Sequence, residues 1–170
     1  MNDHSNRPAR FGMADISGKA VTARRALAMG RIVVGEAAHA LLRDGKLPKG
    51  DALALAEMAG IQGAKLTPML LPLCHPISLN RAVIHTRLDA ETAAVEVYAL
   101  AEINERTGVE MEALTAASIA LLTIWDLVKP VNAALEIGDT RLLYKSGGKS
   151  GEWRHPDGMG AYAESLLESL

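Results

Sequence analysis

The residue types best suited to chemistry lie in two short segments that resemble no ordinary helix or strand. Residues 71–76 place a thiol, Cys74, and an imidazole, His75, between two prolines that stiffen the backbone around them. Residues 145–151 set two lysines among glycines, and could surround an anion with main-chain N–H groups and ammonium charges. Residues 107–116 lie between the two segments and add two carboxylates. This combination indicates a site for a polyanionic small molecule.

Length and composition set the class of protein that could carry such a site. A chain of 170 residues with 49% hydrophobic and 22% charged residues is typical of one globular domain. The net charge of −2 gives no basic field, which argues against a nucleic-acid partner. No apolar run is expected to span a membrane, and the polar N-terminus lacks a secretion signal. The single cysteine fits a reducing compartment, so a cytoplasmic location is expected.

The order of strand and helix patterns predicts an α+β domain. Residues 20–34 and 81–104 alternate as a strand and a β-hairpin, and a last strand is expected at 140–144. Helices are expected at 35–43, from an Asp51 cap to Pro68, and from a Thr107–Glu110 capping box to about Lys129. We therefore expect a mostly antiparallel sheet with helices packed on one face. Residues 1–12 are interpreted as a flexible leader, 13–153 as the catalytic domain and 154–170 as an appendage.

Asp126 and Lys129 are the strongest acid–base candidates within a helix. They are three residues apart, so they share a helix face and can pair. Such a pair is often a surface ion pair worth about 0–1 kcal/mol. The flanking residues 119–127 are apolar nearly all round the helix, and a charge pair among them is costly unless it has a function.

Glu110 and Glu112 add two carboxylates at the other end of the same helix. Glu110 has a structural alternative as the last residue of the capping box, whereas Glu112 has none and is the better functional candidate. Glu112 and Asp126 are fourteen residues apart, which separates them by about 21 Å along a helix. One small substrate could not touch both in one chain, so a shared site predicts an oligomer.

The remaining segments exclude several familiar sites. One cysteine beside one histidine, with no second ligand pair, does not predict a zinc site, and no metal ligands are assigned. Cys74 is a weaker candidate as a nucleophile than His75 is as a substrate contact. The segment around Lys149 lacks the first glycine of a P-loop, so phosphate binding there would depend on lysine charge and loop amides.

Several motifs, in this order along the chain, resemble the MoaC family of molybdenum-cofactor biosynthesis. They are Met-Ala-Asp-Ile-Ser at 13–17, Lys-Gly-Asp at 49–51, the glycine-containing run at 59–65, Leu-Pro-Leu-Cys-His-Pro at 71–76, Thr-Gly-Val-Glu-Met-Glu-Ala-Leu-Thr-Ala-Ala-Ser at 107–118, and Lys-Ser-Gly-Gly-Lys-Ser-Gly at 145–151. The resemblance covers about residues 13–153.

The resemblance implies a ferredoxin-like subunit in a homo-oligomer, a hexamer built as a trimer of dimers, with sites between subunits. It implies a lyase that converts 3′,8-cyclised dihydro-GTP to cyclic pyranopterin monophosphate and pyrophosphate. The substrate would come from a radical-SAM enzyme that cyclises GTP. No cofactor is required by this reading, although Mg²⁺ could accompany the substrate triphosphate. The alternative is a non-catalytic homologue that binds a purine nucleotide or a pterin.

The family motifs also imply roles for individual residues. The implied catalytic residues are a carboxylate and three lysines, namely Asp126, Lys129, Lys49 and Lys145. The implied substrate-binding residues are Leu73, Cys74, His75, Glu110, Met111, Glu112, Arg24 and Lys149. The basic side chains would neutralise the triphosphate and favour departure of pyrophosphate, and Asp126 and Lys129 would move protons.

Overall fold

The computed structural model describes residues 11–169, so most of the predicted leader and Leu170 lie outside the described residues. Five strands and four helices follow one another along the chain. In order they are β1 Thr22–Val33, α1 Glu36–Arg43, α2 Ala52–Leu70, β2 Arg81–Asp89, β3 Ala94–Glu105, α3 Glu110–Val128, β4 Glu136–Ser146, β5 Trp153–Arg154 and α4 Ala161–Ser169.

The strands form one antiparallel sheet with the order β2-β3-β1-β4-β5. Its first four strands, with helices in the connections after β1 and β3, have the split β-α-β arrangement of ferredoxin-like folds. The predicted α+β class and antiparallel sheet are therefore confirmed. The predicted hairpin is confirmed as β2 and β3, which pair from Arg81 with Glu102 to Asp89 with Ala94.

Residues along β1 alternate between the two faces of the sheet, as a strand requires. Ala26, Ala28 and Ile32 face the side covered by α2 and α3. Gly63 lets these two helices approach closely, because a Cβ at that position would lie 2.8 Å from the Ile119 side chain. Leu27 and other apolar residues point to the opposite face.

Helix α4 covers that opposite face. It buries Ala163 and Leu166 against a cluster that includes Leu27, Leu100 and Tyr144. The prediction placed helices on one face only and set residues 154–170 apart as an appendage. The structure instead puts α2 and α3 on one face and α4 on the other, where it completes a second apolar layer.

Two helix starts differ in how they are capped. The carboxylate of Asp51 accepts hydrogen bonds from the N–H groups of Leu53 and Ala54, at 3.1 and 3.0 Å, as predicted. Helix α3 begins at Glu110 without any side-chain cap, so the predicted Thr107–Glu110 capping box is wrong. The Glu110 carboxylate binds a lysine from β4 instead, and a charge-assisted contact is stronger than a neutral cap.

Helix α3 is the central helix of the domain. By length and composition alone it could cross a bilayer, so the expectation that no such run exists is wrong. Half of that apolar stretch is buried inside the fold, as in core helices. Its Glu110 end and its Asp126 end are about 24 Å apart, because each helical residue rises 1.5 Å.

Candidate active site

The N-terminal end of α3 opens into a cavity of about 310 Å³. The loop between α2 and β2 supplies one wall of this cavity, and the first turn of α3 supplies the other. The lining includes six of the residues implied by the family motifs: Leu73, Cys74, His75, Glu110, Met111 and Glu112. The structure therefore brings the thiol, the imidazole and both carboxyl groups of the sequence prediction to one place.

Glu112 has the most unusual environment in this cavity. The residue is 3% exposed, and no described cationic side chain forms an ion pair with it. Burial raises the pKa of Glu112 to about 7, and the nearby charge of Glu110 acts in the same direction. A carboxyl group in this state can donate a hydrogen bond at neutral pH, which an ionised carboxylate cannot do.

The turn at 71–76 holds its two reactive groups differently. The ring of His75 is held by its Nε2, which donates a hydrogen bond to the carbonyl of Ala14 at 2.9 Å. This contact does not involve Nδ1. The N–H of Cys74 donates to the carbonyl of Leu71 at 3.1 Å. Burial raises the pKa of the Cys74 thiol, and the charge of Glu112 adds to the effect. A raised pKa disfavours the thiolate, which agrees with the low weight given to Cys74 as a nucleophile.

A second cavity, of about 110 Å³, continues from the first beside Glu110. Lys145 on β4 points into it and places Nζ 2.9 Å from Glu110 Oε1. Arg24 lines the same cavity from β1, where its Nε donates to the carbonyl of Glu105 at 3.0 Å. The two basic side chains give this cavity the charge that phosphate groups require.

The loop at 146–151 lies directly over Arg24. Gly147 and Gly148 have φ values of 95° and 69°, a conformation that favours glycine. A Cβ on Gly147 would collide with the carbonyl of Ala23, and one on Gly148 would collide with the guanidinium of Arg24. Gly147 is thus favoured both by its backbone conformation and by the close approach of the Ala23 carbonyl, and Gly148 by its backbone conformation over the Arg24 side chain.

Lys149 lies on the outer side of this loop. It lines a cavity of about 280 Å³ together with Arg24 and Lys19. Arg24 therefore borders both this cavity and the one that holds Lys145. Lys19 was missed by the sequence analysis, because it precedes β1 in a segment without periodicity and no spacing links it to the distant loop.

The other end of α3 carries a compact group of three charged residues. Lys129 Nζ lies 2.6 Å from Asp126 Oδ1, which confirms the predicted pairing of the two side chains. Lys49, from the turn before α2, reaches the same carboxylate, with Nζ 3.3 Å from Oδ2. It also donates to the main-chain carbonyl of Asp126 at 3.2 Å. No spacing in the sequence predicts that Lys49 lies beside Asp126.

The environment of this group differs from the prediction. Asp126 is 55% exposed and Lys129 is 52% exposed, so the pair does not sit in the apolar surroundings expected from the flanking residues. The apolar neighbours Ile124 and Leu127 turn towards the core, while Asp126 points outwards. The hydrogen bond from Lys129 lowers the pKa of Asp126, and the contact with Lys49 adds to this.

The implied site residues thus fall into two groups at opposite ends of α3. Glu110, Glu112, Lys145 and the turn at 71–76 form one group; Asp126 with its two lysines forms the other. Within residues 11–169, no three His, Cys, Asp or Glu side chains are arranged to hold a metal ion. The chemistry of the two groups is that of anion binding and proton transfer.

The fold and these two groups define a ferredoxin-like domain with a cavity lined by basic side chains and a separate lysine–aspartate group. The MoaC family matches residues 13–148. The chain is 48% identical over 153 residues to a cyclic pyranopterin monophosphate synthase of Chloroflexus aurantiacus, covering 90% of this chain and 94% of the relative. A relative of the same name from Streptomyces avermitilis is 51% identical over 152 residues, covering 88% and 87% of the two chains.

A third relative of that name, from Nocardioides sp., is 47% identical over 154 residues and covers 90% of this chain and 94% of its own. The aligned region is long enough to include both groups of charged residues and the sheet between them. The chain belongs to the MoaC family.

Proposed function

We propose that this protein is a cyclic pyranopterin monophosphate synthase. It converts 3′,8-cyclised dihydro-GTP to cyclic pyranopterin monophosphate and releases pyrophosphate, an early step of molybdenum-cofactor biosynthesis. The observation that carries the proposal is the near full-length similarity to relatives of that name, together with the cavity at Glu112 and Lys145. A radical-SAM enzyme that cyclises GTP supplies the substrate.

The basic residues around the loop at 146–151 bind the triphosphate. Lys145 and Arg24 border the inner cavity, and Lys149 with Lys19 borders the outer one. Positive charge at fixed positions stabilises the charge that develops on pyrophosphate as it departs. The Lys145–Glu110 contact holds the lysine in place before the anion arrives. Mg²⁺ that enters with the triphosphate would need few protein ligands, and the protein itself requires no cofactor.

Asp126 and Glu112 have different roles in proton transfer, because one is ionised and the other can hold a proton. Asp126 stays ionised beside Lys129 and Lys49, and its carboxylate can hold the two ammonium groups in position for proton transfer. Glu112 is suited to hold or donate a proton near neutral pH. Opening and reclosure of the purine-derived ring requires such transfers. His75 and Met111 line the cavity and contact the heterocycle.

The active site is shared between subunits. The two groups are about 24 Å apart within one chain, which exceeds the reach of one nucleotide-derived substrate. Exposed apolar side chains on α2 and α3 provide the surface for a second copy; among them are Leu55, Met58, Met69, Met111 and Leu122. A contact between copies with twofold symmetry would bring the Asp126 group of one to the Glu112 cavity of the other. The proposed assembly is a hexamer, a trimer of such dimers, in the cytoplasm.

The test is a coupled reaction that contains GTP, the radical-SAM enzyme and this purified protein. Cyclic pyranopterin monophosphate is measured by its fluorescence after oxidation, against a reaction without this protein. Product above that control is the expected result. A folded, assembled protein that gives no product would contradict the synthase, and would leave a homologue that binds a purine nucleotide or pterin.

Shared sites have a separate test by subunit mixing. Asp126→Asn and a Lys145→Ala/Arg24→Ala double variant are assayed alone at low substrate, where both should be nearly inactive. Co-expressed, they should recover about a quarter of wild-type activity, because half of the dimers are mixed and each mixed dimer has one intact site of two. Activity that stays at the level of the parents would mean that each site is built from one chain.

A further inference from the structure

Helix α4 and the strand before it have no part in the site described so far. Their position is nevertheless close to the lysine-bearing loop, because the chain passes from β4 through residues 146–152 into β5 and then into α4. One end of the loop is anchored by the long strand β4. The other end depends on what holds β5.

Strand β5 is held to the sheet by few backbone contacts. Only two residue pairs join it to β4, Tyr144 with Arg154 and Lys145 with Trp153. One further hydrogen bond follows, from the N–H of His155 to the carbonyl of Leu143 at 2.9 Å. Ladders this short are marginal in water without side-chain contacts, so the exit of the loop needs additional support.

Arg154 supplies that support. Its Nε lies 2.8 Å from Glu152 Oε1, and its Nη1 lies 2.6 Å from Glu164 Oε2 on α4. Its guanidinium also lies over the ring of Tyr144, 5.3 Å from the centroid. One side chain therefore connects the end of the loop, strand β4 and the C-terminal helix.

The connection reaches the anion-binding residues through neighbouring positions on β4. Tyr144 pairs with Leu27 and lies in the layer under α4, whereas Lys145 pairs with Ala26 on the opposite face of the sheet. Successive strand residues move together, so a contact that fixes Tyr144 also fixes Lys145. Glu152 lies at the end of the loop and its Oε2 accepts a hydrogen bond from the Tyr144 hydroxyl at 3.4 Å.

We propose that helix α4 holds the exit of the loop at 146–151, and that Arg154 is the positioning residue that transmits this constraint to Lys145, Lys149 and the loop amides. Arg154 does not touch the substrate. Its contribution is to keep the anion-binding groups over Arg24 before the anion arrives, which lowers the entropy cost of binding. The inference rests on the proposed function of that loop as the binding site for the substrate's phosphates.

The first experiment measures hydrogen–deuterium exchange of the β4–β5 amides, which requires no substrate. Glu164→Gln removes one ion pair and should speed exchange in the peptide containing Trp153–His155 about threefold, since exposed pairs stabilise local structure modestly. Arg154→Ala removes both ion pairs and the contact with Tyr144 and should speed it about tenfold. Matched controls are Glu168→Gln on α4 and Arg141→Ala on β4, an arginine of similar exposure with one long contact to Asp139. The controls should exchange at the wild-type rate.

The second experiment measures anion binding and turnover in the same variants. Arg154→Ala should weaken binding of inorganic pyrophosphate, and should raise KM about tenfold while kcat stays within twofold of wild type, because uniform binding is lost. Glu164→Gln should show the same pattern at about threefold. The melting temperature and oligomeric state are measured for every variant, and Glu164→Gln remains decisive if Arg154→Ala fails to fold.

Three results would overturn the proposal. One is exchange in Arg154→Ala and Glu164→Gln that equals the controls. Another is faster exchange without any change in pyrophosphate affinity. The third is a fall in kcat at constant KM, which would assign Arg154 to the chemistry. If the wild-type protein makes no product, the proposed function fails, while exchange and pyrophosphate binding still decide the role of α4.

Discussion

The two ends of helix α3 carry the same functional group in opposite electrostatic states. At the N-terminal end, Glu112 is almost fully buried, has no cationic partner among residues 11–169, and has its pKa raised to about 7. At the C-terminal end, Asp126 is more than half exposed between two lysines, and its pKa is lowered. One helix therefore presents a carboxyl group that can hold its proton near neutral pH at one end and an ionised carboxylate at the other.

Each end of α3 lacks groups that the other end has, so the proposed site is incomplete at either end alone. The Glu112 end has cavities and basic side chains, but its carboxyl groups are buried or already paired with Lys145. The Asp126 end has accessible acid–base groups, but none of the cavities around Glu112 and Lys145 includes them. One end has the cavities and the other has the accessible acid–base groups. This is the strongest physical reason to expect that the two ends of different subunits meet.

Among the variants at the two ends of α3, Asp126→Asn is expected to have the largest effect, which is on turnover. The amide keeps the size of the carboxylate but cannot accept a proton or pair with the two lysines, so turnover should fall about a thousandfold. Product formation measures the loss, with Asp157→Asn, a highly exposed aspartate near α4, as the control. Assembly should be unchanged by size-exclusion chromatography; loss of the oligomer would instead assign Asp126 to structure.

At the opposite end of α3, Glu112→Gln should change how the stability of the protein depends on pH. The folded-state pKa of Glu112 is about 7 against 4.5 in the unfolded chain, so the protonated form favours folding. The favourable contribution of protonated Glu112 to the free energy of unfolding is fully present below pH 4.5. It is lost as the pH rises to about 7. The variant should therefore be more stable than wild type at pH 8, by up to about 3 kcal/mol, and equal to it at pH 4.5.

Denaturant titrations at fixed protein concentration measure this difference, with Glu168→Gln as an exposed control. A variant whose stability relative to wild type is the same at both pH values would show that the pKa of Glu112 is not raised in the folded protein. That outcome would imply that lysines of a second subunit approach the carboxylate in the assembled protein.

Lys145→Ala should weaken substrate binding more than it slows chemistry. A charge-assisted hydrogen bond is worth about 1.5–3 kcal/mol, so KM should rise about tenfold or more while kcat changes little. Steady-state kinetics separate the two parameters. Lys46→Ala is the matched control, because that lysine is exposed, pairs with Asp44 at 3.5 Å and lines neither of the two cavities. A fall in kcat alone would move Lys145 from binding to catalysis.

The smallest effect is expected at the start of α3. Thr107→Ala should change stability by less than about 0.5 kcal/mol, because no capping bond is present there. Asp51→Ala, which removes a cap that is present, should cost about 1 kcal/mol. Thermal denaturation compares the two variants. A cost for Thr107→Ala as large as that for Asp51→Ala would restore the capping box as a feature of the protein.

Local patterns predicted the fold well, because they are set by neighbours in sequence. Alternation along β1 and the β2–β3 hairpin gave the antiparallel sheet, and an Asp51 cap gave the start of α2. The capping box at Thr107 failed for a non-local reason. Its partner, Glu110, is drawn to Lys145, thirty-five residues away, and local rules cannot weigh that competitor.

The site followed the same division. Motifs identified the charged residues, and helical spacing predicted both the Asp126–Lys129 pair and the distance to Glu112. Spacing could not show which side chains are buried, because that depends on which face of α3 meets the sheet. It therefore overstated the burial of Asp126, and it gave no reason to join Lys19 with Lys149.

The chain's two tryptophans stand beside the two halves of the site. Trp125 immediately precedes Asp126 on α3, and Trp153 pairs with Lys145 across the β4–β5 ladder. Intrinsic emission can therefore follow each half without a label. Trp125→Phe leaves a signal from the loop side alone, and Trp153→Phe leaves one from the Asp126 side. If a titration with pyrophosphate changes only the Trp153 emission, the anion binds on the loop side of the site.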